Sequence, residues 1–345
     1  MDGRVNLTDL PTFYQDIITI GKNVYVPFPV GPAISLIPFI ILNGKVTQQQ
    51  VSIILGSFDV TLFFILIKKF TTTKNSLILS VFLGFGTALF WASVVGTTWY
   101  FAHVVAFLFL TTSLIFHFEK KDILSGIFFS LAVISRYPIL LGAIFFALQL
   151  KGDKKRFLKF FISAALFAPI HFLYSYSRFG NFLKTGYVEV YESYVKTNYP
   201  YTILQVINPN LLLFGYLDIR NIPLHLFTFL LEPPIITANL NISPSAYGMG
   251  IIFTSPLLFL SLKFSRKNSL ERNLFIGALA IAALDFLHYM QGWVQFGYRF
   301  ALDFLPFLLI IIALKFKVRK FYLFLIIVSL VVTFWGVISA IKLGW

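Results

Sequence analysis

The residues of this sequence with chemistry in reach are a few aspartates, arginines and histidines set among apolar runs. Asp2, Asp9 and Asp16 lie in a polar, aromatic segment from Met1 to Phe28. A carboxylate at a bilayer surface can act as general base towards an acceptor hydroxyl, though any one of the three, taken alone, reads first as a surface charge or a helix cap. Arg136 stands in Ser135-Arg136-Tyr137-Pro138, and Arg299 follows Gly297-Tyr298. Guanidinium groups pair bidentately with phosphate, so two at one depth could hold a lipid-linked phosphate. Against that, Arg136 could simply snorkel to the interface. Asp303, four residues after Arg299, would neutralise it across one helical turn. Asp285 and His288 share a helix face at i and i+3, the kind of buried pair a proton relay needs. Asp59 and His103 are lone polar residues for which a neighbouring helix is expected to supply a partner.

Long apolar elements must position these residues. The chain has 345 residues, 58% hydrophobic and 18% aromatic, with 12% charged, against roughly 25% charged in soluble domains. That composition excludes a soluble globular protein and indicates a polytopic membrane protein. Lysine and arginine concentrate in five short loops: Lys68-Lys69…Lys74, Lys120-Lys121, Lys151…Lys154-Lys155-Arg156, Lys263…Arg266-Lys267…Arg272 and Lys315…Lys317…Arg319-Lys320. All five can lie on one face, which the positive-inside rule makes cytoplasmic. The net charge of +14 is then topological and meets anionic lipid rather than nucleic acid. With no cysteine, disulfides and thiolate metal sites are excluded. No apolar h-region of a cleavable signal peptide is seen between Met1 and Pro29.

The pattern predicts an all-α membrane fold with about ten crossings: Val51–Ile67, Ser76–Val95, Phe101–Phe116, Ile123–Ser135, Pro138–Leu150, Phe157–Tyr176, Gly248–Leu262, Leu274–Met290, Phe300–Leu314 and Phe321–Ile341. Pro29 to Leu42, broken by Gly31, Pro32 and Pro38, reads as an interfacial helix. Basic loops at both ends of Ile123–Leu150 require an even number of crossings. A tight hairpin with Arg136 at its outer tip satisfies this, and a single kinked helix is the alternative. Tyr176 to Tyr247 is the long hydrophilic outer segment, with amphipathic patches around Ile203–Leu213 and Leu224–Ile236 that suit a membrane surface. The organisation is one integrated membrane domain over 1–345: a first outer loop and interfacial helix (1–50), N-terminal helices (51–176), a large outer loop (177–247) and C-terminal helices (248–345).

Several runs also resemble a known family. Gly3-Arg4…Asp16…Tyr25-Val26-Pro27-Phe28-Pro29-Val30-Gly31-Pro32…Pro38 resembles the first outer loop of polytopic GT-C glycosyltransferases. The likeness is to prokaryotic relatives of the dolichyl-phosphate-mannose-protein mannosyltransferases, glycosyltransferase family 39. Gly84-Phe85-Gly86-Thr87…Gly96-Thr97-Thr98-Trp99-Tyr100-Phe101-Ala102-His103, Gly126…Ala132…Ser135-Arg136-Tyr137-Pro138, Arg178-Phe179-Gly180-Asn181…Gly186-Tyr187, Tyr247-Gly248-Met249…Ser255-Pro256 and Phe296-Gly297-Tyr298-Arg299…Asp303-Phe304-Leu305-Pro306 follow in the expected order. Each motif is soft alone, and together they cover nearly the whole chain.

The resemblance implies transfer of a sugar from a polyprenyl-phosphate carrier to a lipid, glycan or protein acceptor on the outer face of the cell membrane. It gives an aspartate of the first outer loop the role of catalytic base and surface arginines the carrier phosphate. Members normally carry a transmembrane helix before that loop with the base just after it. This sequence starts at Met1-Asp2-Gly3 inside the loop, which reads as loss of the first helix, and the usual Pro-Pro-Gly becomes Pro29-Val30-Gly31. The base is then Asp16, within the matching stretch, with Asp2 as the second choice. Arg136 and Arg299 take the donor phosphate, and Asp303, Tyr298 and His103 support them. No metal ligands are assigned, and assistance by a divalent cation is left open. A transporter or flippase built on Asp285, His288, Asp59 and Asp303, and an inactive truncated relative, are the competing readings.

Overall fold

The computed structural model describes residues 6–7, 17–197, 214–236, 238 and 240–345. Asp2, Asp9, Asp16 and the Ile203–Leu213 patch therefore lie outside the described residues. Four helices are long and apolar enough to cross a membrane: Gln48–Ile67, Thr98–Phe118, the stretch Lys154–Phe179 and Lys320–Lys342. The pair Thr73–Phe85 and Ala88–Val95 makes a fifth if its two halves form one span.

Local chemistry sets the helix ends. Thr47 and Gln50 form a reciprocal capping box at the start of Gln48–Ile67. Asn268 caps Ser269–Leu287 by accepting from the N–H groups of Leu270 and Glu271. The span expected over Ser76–Val95 is instead bent by 53° at Gly86-Thr87. The Thr87 hydroxyl oxygen accepts from Leu89 N–H at 3.2 Å and starts the second half. The Ser255 hydroxyl donates to the freed Gly86 carbonyl at 2.7 Å, so the break leaves no orphan acceptor there. The span expected over Gly248–Leu262 is also broken, into Ile251–Thr254 and a 3-10 helix, Pro256–Lys263. The residue before a proline is pushed out of helical geometry, and Ser255, at φ −148° and ψ 55°, lies outside it accordingly.

Ala301–Lys315 runs through the centre, buried from Ala301 to Ala313. A helix apolar all round belongs in an interior. Thr98–Phe118 and Ser269–Leu287 pack along it. Asp122–Val133 leads to a 3-10 turn at Tyr137–Gly142, and Ala143–Leu150 returns. Phe145 and Phe146 pack on the His117 ring, near the level at which the hairpin begins. Arg156, just beyond the returning helix, pairs with Asp122 at the start of the outgoing one, Nε–Oδ2 2.9 Å and Nη2–Oδ1 2.8 Å. The hairpin geometry is thus the one found, and a single kinked helix is not.

Contacts also tie the basic loops together. Lys69 reaches Glu119 at 3.1 Å beside Lys121, Arg156 reaches Asp122, Lys315 reaches Glu271 at 2.7 Å, and Asn75 donates to the Phe316 carbonyl at 3.4 Å. Every one of the five loops, or a residue next to it, takes part, so they share one end of the bundle. Asp303 and Lys315 stand at opposite ends of the central helix, about 18 Å apart at 1.5 Å per residue.

The remaining segments cover the other end and depart from an all-α expectation. Ile18–Ile20 pairs antiparallel with Asn23–Tyr25, turning at Gly21 with φ +60°, a conformation glycine adopts without strain. Ile235–Ile236 pairs with Ile242–Ser243. Ile222–Leu230, expected as part of a surface patch, buries His225 and Thr228 and rests on Ser269–Leu287. Tyr191, Tyr216, Tyr247 and Trp293 pack around Ile18, Val190 and Tyr289 as a separate aromatic cap.

Candidate functional site

At the end opposite the basic loops, four charged or titratable side chains from four elements meet. Asp303 enters from the first turn of the central helix, His103 from the start of Thr98–Phe118, Asp285 from the last turn of Ser269–Leu287 and Arg136 from the hairpin tip. Arg136 Nε and Nη2 reach Asp303 Oδ2 at 2.9 and 2.8 Å. The second Asp303 oxygen lies 2.8 Å from His103 Nδ1. Arg136 Nη2 also reaches Asp285 Oδ1 at 3.4 Å, while Asp285 Oδ2 has no hydrogen-bond partner among the described residues. All four are buried, Asp303 completely. Charges out of water must be paired and hydrogen-bonded, and one arginine here serves two carboxylates. Arg136 therefore neither snorkels nor stands free, and Asp303 pairs with it and with His103. Arg299 precedes the helix that starts at Ala301, so helical i,i+4 spacing does not govern it.

The Phe300 ring is the hub of this end. Arg136 lies 5.3 Å and Arg299 5.1 Å from its centroid, and the rings of His103, Tyr298 and His288 pack against it. Arg299 also lies over Trp99 and Tyr100 and donates to the Trp293 carbonyl at 3.4 Å. Tyr298 is buried and its hydroxyl is 2.7 Å from His225 Nδ1, whose Nε2 is 2.8 Å from the His288 carbonyl. A carbonyl only accepts, so Nε2 carries the proton and Tyr298 donates to Nδ1. His288 does not share a helix face with Asp285. The helix ends at Leu287, and His288 is extended, φ −64° and ψ 146°.

A second arginine site adjoins the hairpin tip. Arg178 ends Ala168–Phe179 and is 2% exposed. Its guanidinium stacks 3.7 Å from the Tyr174 ring centroid and 4.4 Å from that of Phe179. Nη1 donates to the Val26 carbonyl at 2.6 Å and to that of Phe28 at 3.4 Å. No carboxylate pairs with it among the described residues, and Nη2 there has no hydrogen-bond partner. His171 and Tyr174 stand on the same helix face at i−7 and i−4. His171 Nδ1 lies 3.1 Å from the hydroxyl of Tyr137, next to Arg136.

Two glycines let the segment from Val26 to Gly31 reach this site. A Cβ on Gly31 would sit 2.3 Å from Ser135 Oγ and 2.8 Å from the Ile134 carbonyl, and Gly31 N–H donates to that carbonyl at 2.9 Å. At Gly186, φ +92° and a Cβ 2.7 Å from the Pro27 carbonyl oxygen both exclude a side chain. The loop carrying Val26 to Gly31 is thereby clamped between the hairpin tip and Arg178.

Of the residues singled out in the sequence, His103, Arg136, Tyr298, Arg299 and Asp303 come together around Phe300. Asp16 and Asp2 lie outside the described residues. Asp59 lies in Gln48–Ile67, wholly buried, and neither carboxylate oxygen has a hydrogen-bond partner among the described residues, so the partner expected from a neighbouring helix is not found there. Arg178 and His225 were not singled out. A basic residue in a last helical turn normally answers the helix dipole, and a histidine in an amphipathic patch reads as surface. Only the Arg178-Phe179-Gly180-Asn181 run pointed to the former. Among the described residues, no group of three or more His, Cys, Asp or Glu could hold a metal ion.

No protein-family profile matches the chain, and no curated protein matches it. Among solved structures, a crystal structure of the Archaeoglobus fulgidus oligosaccharyltransferase is similar to it. That enzyme is tethered there, through a disulfide bond, with an acceptor peptide containing the NVT sequon. The match covers 92% of this chain and 47% of that one, with a TM-score of 0.49 and 15% identity. The chain spans about half the length of that enzyme. A likeness at this level assigns neither family nor function.

Proposed function

We propose that the chain is a GT-C-like membrane glycosyltransferase of about ten crossings. It moves a sugar from a polyprenyl-phosphate carrier to an acceptor on the extracytoplasmic side, the side opposite the basic loops. The observation that carries this reading is Arg178. Its guanidinium is buried against aromatic rings and backbone carbonyls, lacks a carboxylate among the described residues, and sits beside the loop in which a base is expected. A buried cation held by neutral groups suits a phosphate, and tyrosine faces nearby suit a sugar. In this reading Arg178 and Arg299 face the carrier phosphate. Arg136, its charge shared between two carboxylates, positions the hairpin tip.

The acceptor hydroxyl oxygen attacks the anomeric carbon as the bond from that carbon to the phosphate oxygen breaks. The carrier phosphate leaves with the electron pair, and the acceptor proton passes to Asp16, or to Asp2 if Asp16 does not serve. Membranes containing the protein are expected to transfer labelled sugar from a polyprenyl-phosphate donor. Arg178→Ala is expected to lower transfer by at least 100-fold, as removal of one transition-state donor does. Full activity in the Asp16→Asn, Asp2→Asn double variant would remove the proposed base.

Asp59 favours a second reading. An unpaired carboxylate inside a span is the usual mark of an ion or proton path. Proteoliposomes that build a substrate gradient, with loss of that gradient in Asp59→Asn and no sugar transfer, would replace the transferase by a transporter.

A further inference from the structure

The other end of the molecule holds a groove that sugar transfer does not use. It has a volume of about 270 Å³ and lies between the 3-10 helix Pro256–Lys263 and the start of Lys320–Lys342. Pro256, Phe259, Leu260, Phe321 and Leu325 give it apolar walls. Lys263 and Tyr322 stand together at its rim, the ammonium 3.5 Å from the Tyr322 hydroxyl and 6.0 Å from the ring centroid. That hydrogen bond is at the long limit and holds the lysine weakly.

Two further features say what covers the groove. Lys320–Lys342 is an outer helix, with Phe321, Phe324, Ile327 and Val331 each more than half exposed. For a segment apolar enough to cross a membrane, that face meets lipid tails. The loops beside the groove are also cationic without compensation. Among the described residues none of Lys263, Arg266, Lys267, Lys317, Arg319 and Lys320 is paired with a carboxylate. Glu271, the acid between them, is taken by Lys315 at 2.7 Å and by Ser265 N–H at 2.6 Å. Apolar walls running into a rim of unpaired cations and a tyrosine match a molecule with a hydrocarbon tail and an anionic head.

We propose that this groove binds one anionic phospholipid of the leaflet that faces the basic loops. Its acyl chain lies against Leu260 and Phe321, and its phosphate takes the Lys263 ammonium and the Tyr322 hydroxyl in place of the weak bond between them. The proposal rests on the membrane placement of the helices and not on sugar transfer, so either can fail alone.

Native mass spectrometry of the whole protein, released from nanodiscs of equal parts phosphatidylglycerol and phosphatidylcholine, tests it. The wild type is expected to retain one phosphatidylglycerol in preference to phosphatidylcholine. The Lys263→Gln, Tyr322→Phe double variant changes one exposed and one half-buried side chain and is expected to lose that preference. Leu260→Trp, which fills the groove, is expected to lose the retained lipid of either kind. Equal retention of the two lipids by the wild type would overturn the proposal. So would unchanged phosphatidylglycerol retention in the double variant with its circular dichroism intact. Sugar transfer measured on the same preparations reports separately on the enzyme reading.

Discussion

The two ends of the bundle treat charge in opposite ways. At the basic end, many cations face solvent and meet few carboxylates, as where Lys69 and Lys121 share Glu119, each partner about a third to a half exposed. At the other end, the charges of the central cluster are few and sealed in, with Arg136, Asp303, Asp285 and His103 locked to one another. Exposed pairs contribute about 0–1 kcal/mol, so the first arrangement adds little to stability. Removing one partner of a buried pair costs about 3–5 kcal/mol. The second arrangement therefore fixes the geometry of the hairpin tip on which the segment from Val26 to Gly31 is folded.

Substitutions can break that contrast. The largest expected effect is Asp303→Ala, which leaves Arg136 only its 3.4 Å contact with Asp285, frees His103, and should lower unfolding stability in detergent by about 3–5 kcal/mol. The Arg136→Ala, Asp303→Ala double variant should recover part of that loss, and strictly additive losses would contradict the network. Gly31→Ala comes next. Its methyl group would meet the Ile134 carbonyl, a backbone atom that cannot turn aside, so a loss of about 1–3 kcal/mol is expected, with faster proteolysis of the segment that precedes it. Tyr298→Phe leaves His225 Nδ1 buried without its donor and should cost about 1–3 kcal/mol.

The smallest effect belongs to the basic end. Hydrogen bonds from Lys121 and then Lys69 hold the Glu119 carboxyl below its ordinary range. Its contribution is present above the unfolded value near ~4.3 and is lost as pH falls through the lowered folded value. Glu119→Gln should shift stability by less than about 1 kcal/mol at neutral pH, and the difference from wild type should vanish in acid. A thermal-shift titration in detergent reads both.

The contrast also explains what the sequence made legible. Basic loops flanking apolar runs follow from composition, and their gathering at one end is visible without coordinates. The buried cluster joins residues 149, 167 and 200 positions apart, beyond any local periodicity. Local rules there pointed to the wrong partners: Asp303 turns to Arg136 and His103 rather than Arg299, and His288 lies past its helix end. The breaks at Gly86-Thr87 and Ser255-Pro256 were hidden because apolar runs of the right length contain them. Ser255 joins the two by satisfying the carbonyl freed at the first, a contact no local pattern signals. Arg178 stayed obscure because its partners, the Val26 and Phe28 carbonyls, belong to a loop about 150 residues away.

Arg178, at the end opposite the basic loops, is proposed to take the phosphate of a lipid-linked sugar. Proteoliposomes with a labelled polyprenyl-phosphate sugar and an acceptor extract test it directly, comparing wild type with Arg178→Ala and Arg178→Lys. Transfer is expected in the wild type, with a loss of at least 100-fold in the alanine variant and partial recovery with lysine, which restores charge but not the fork. Transfer undiminished by Arg178→Ala in a correctly folded protein would contradict it.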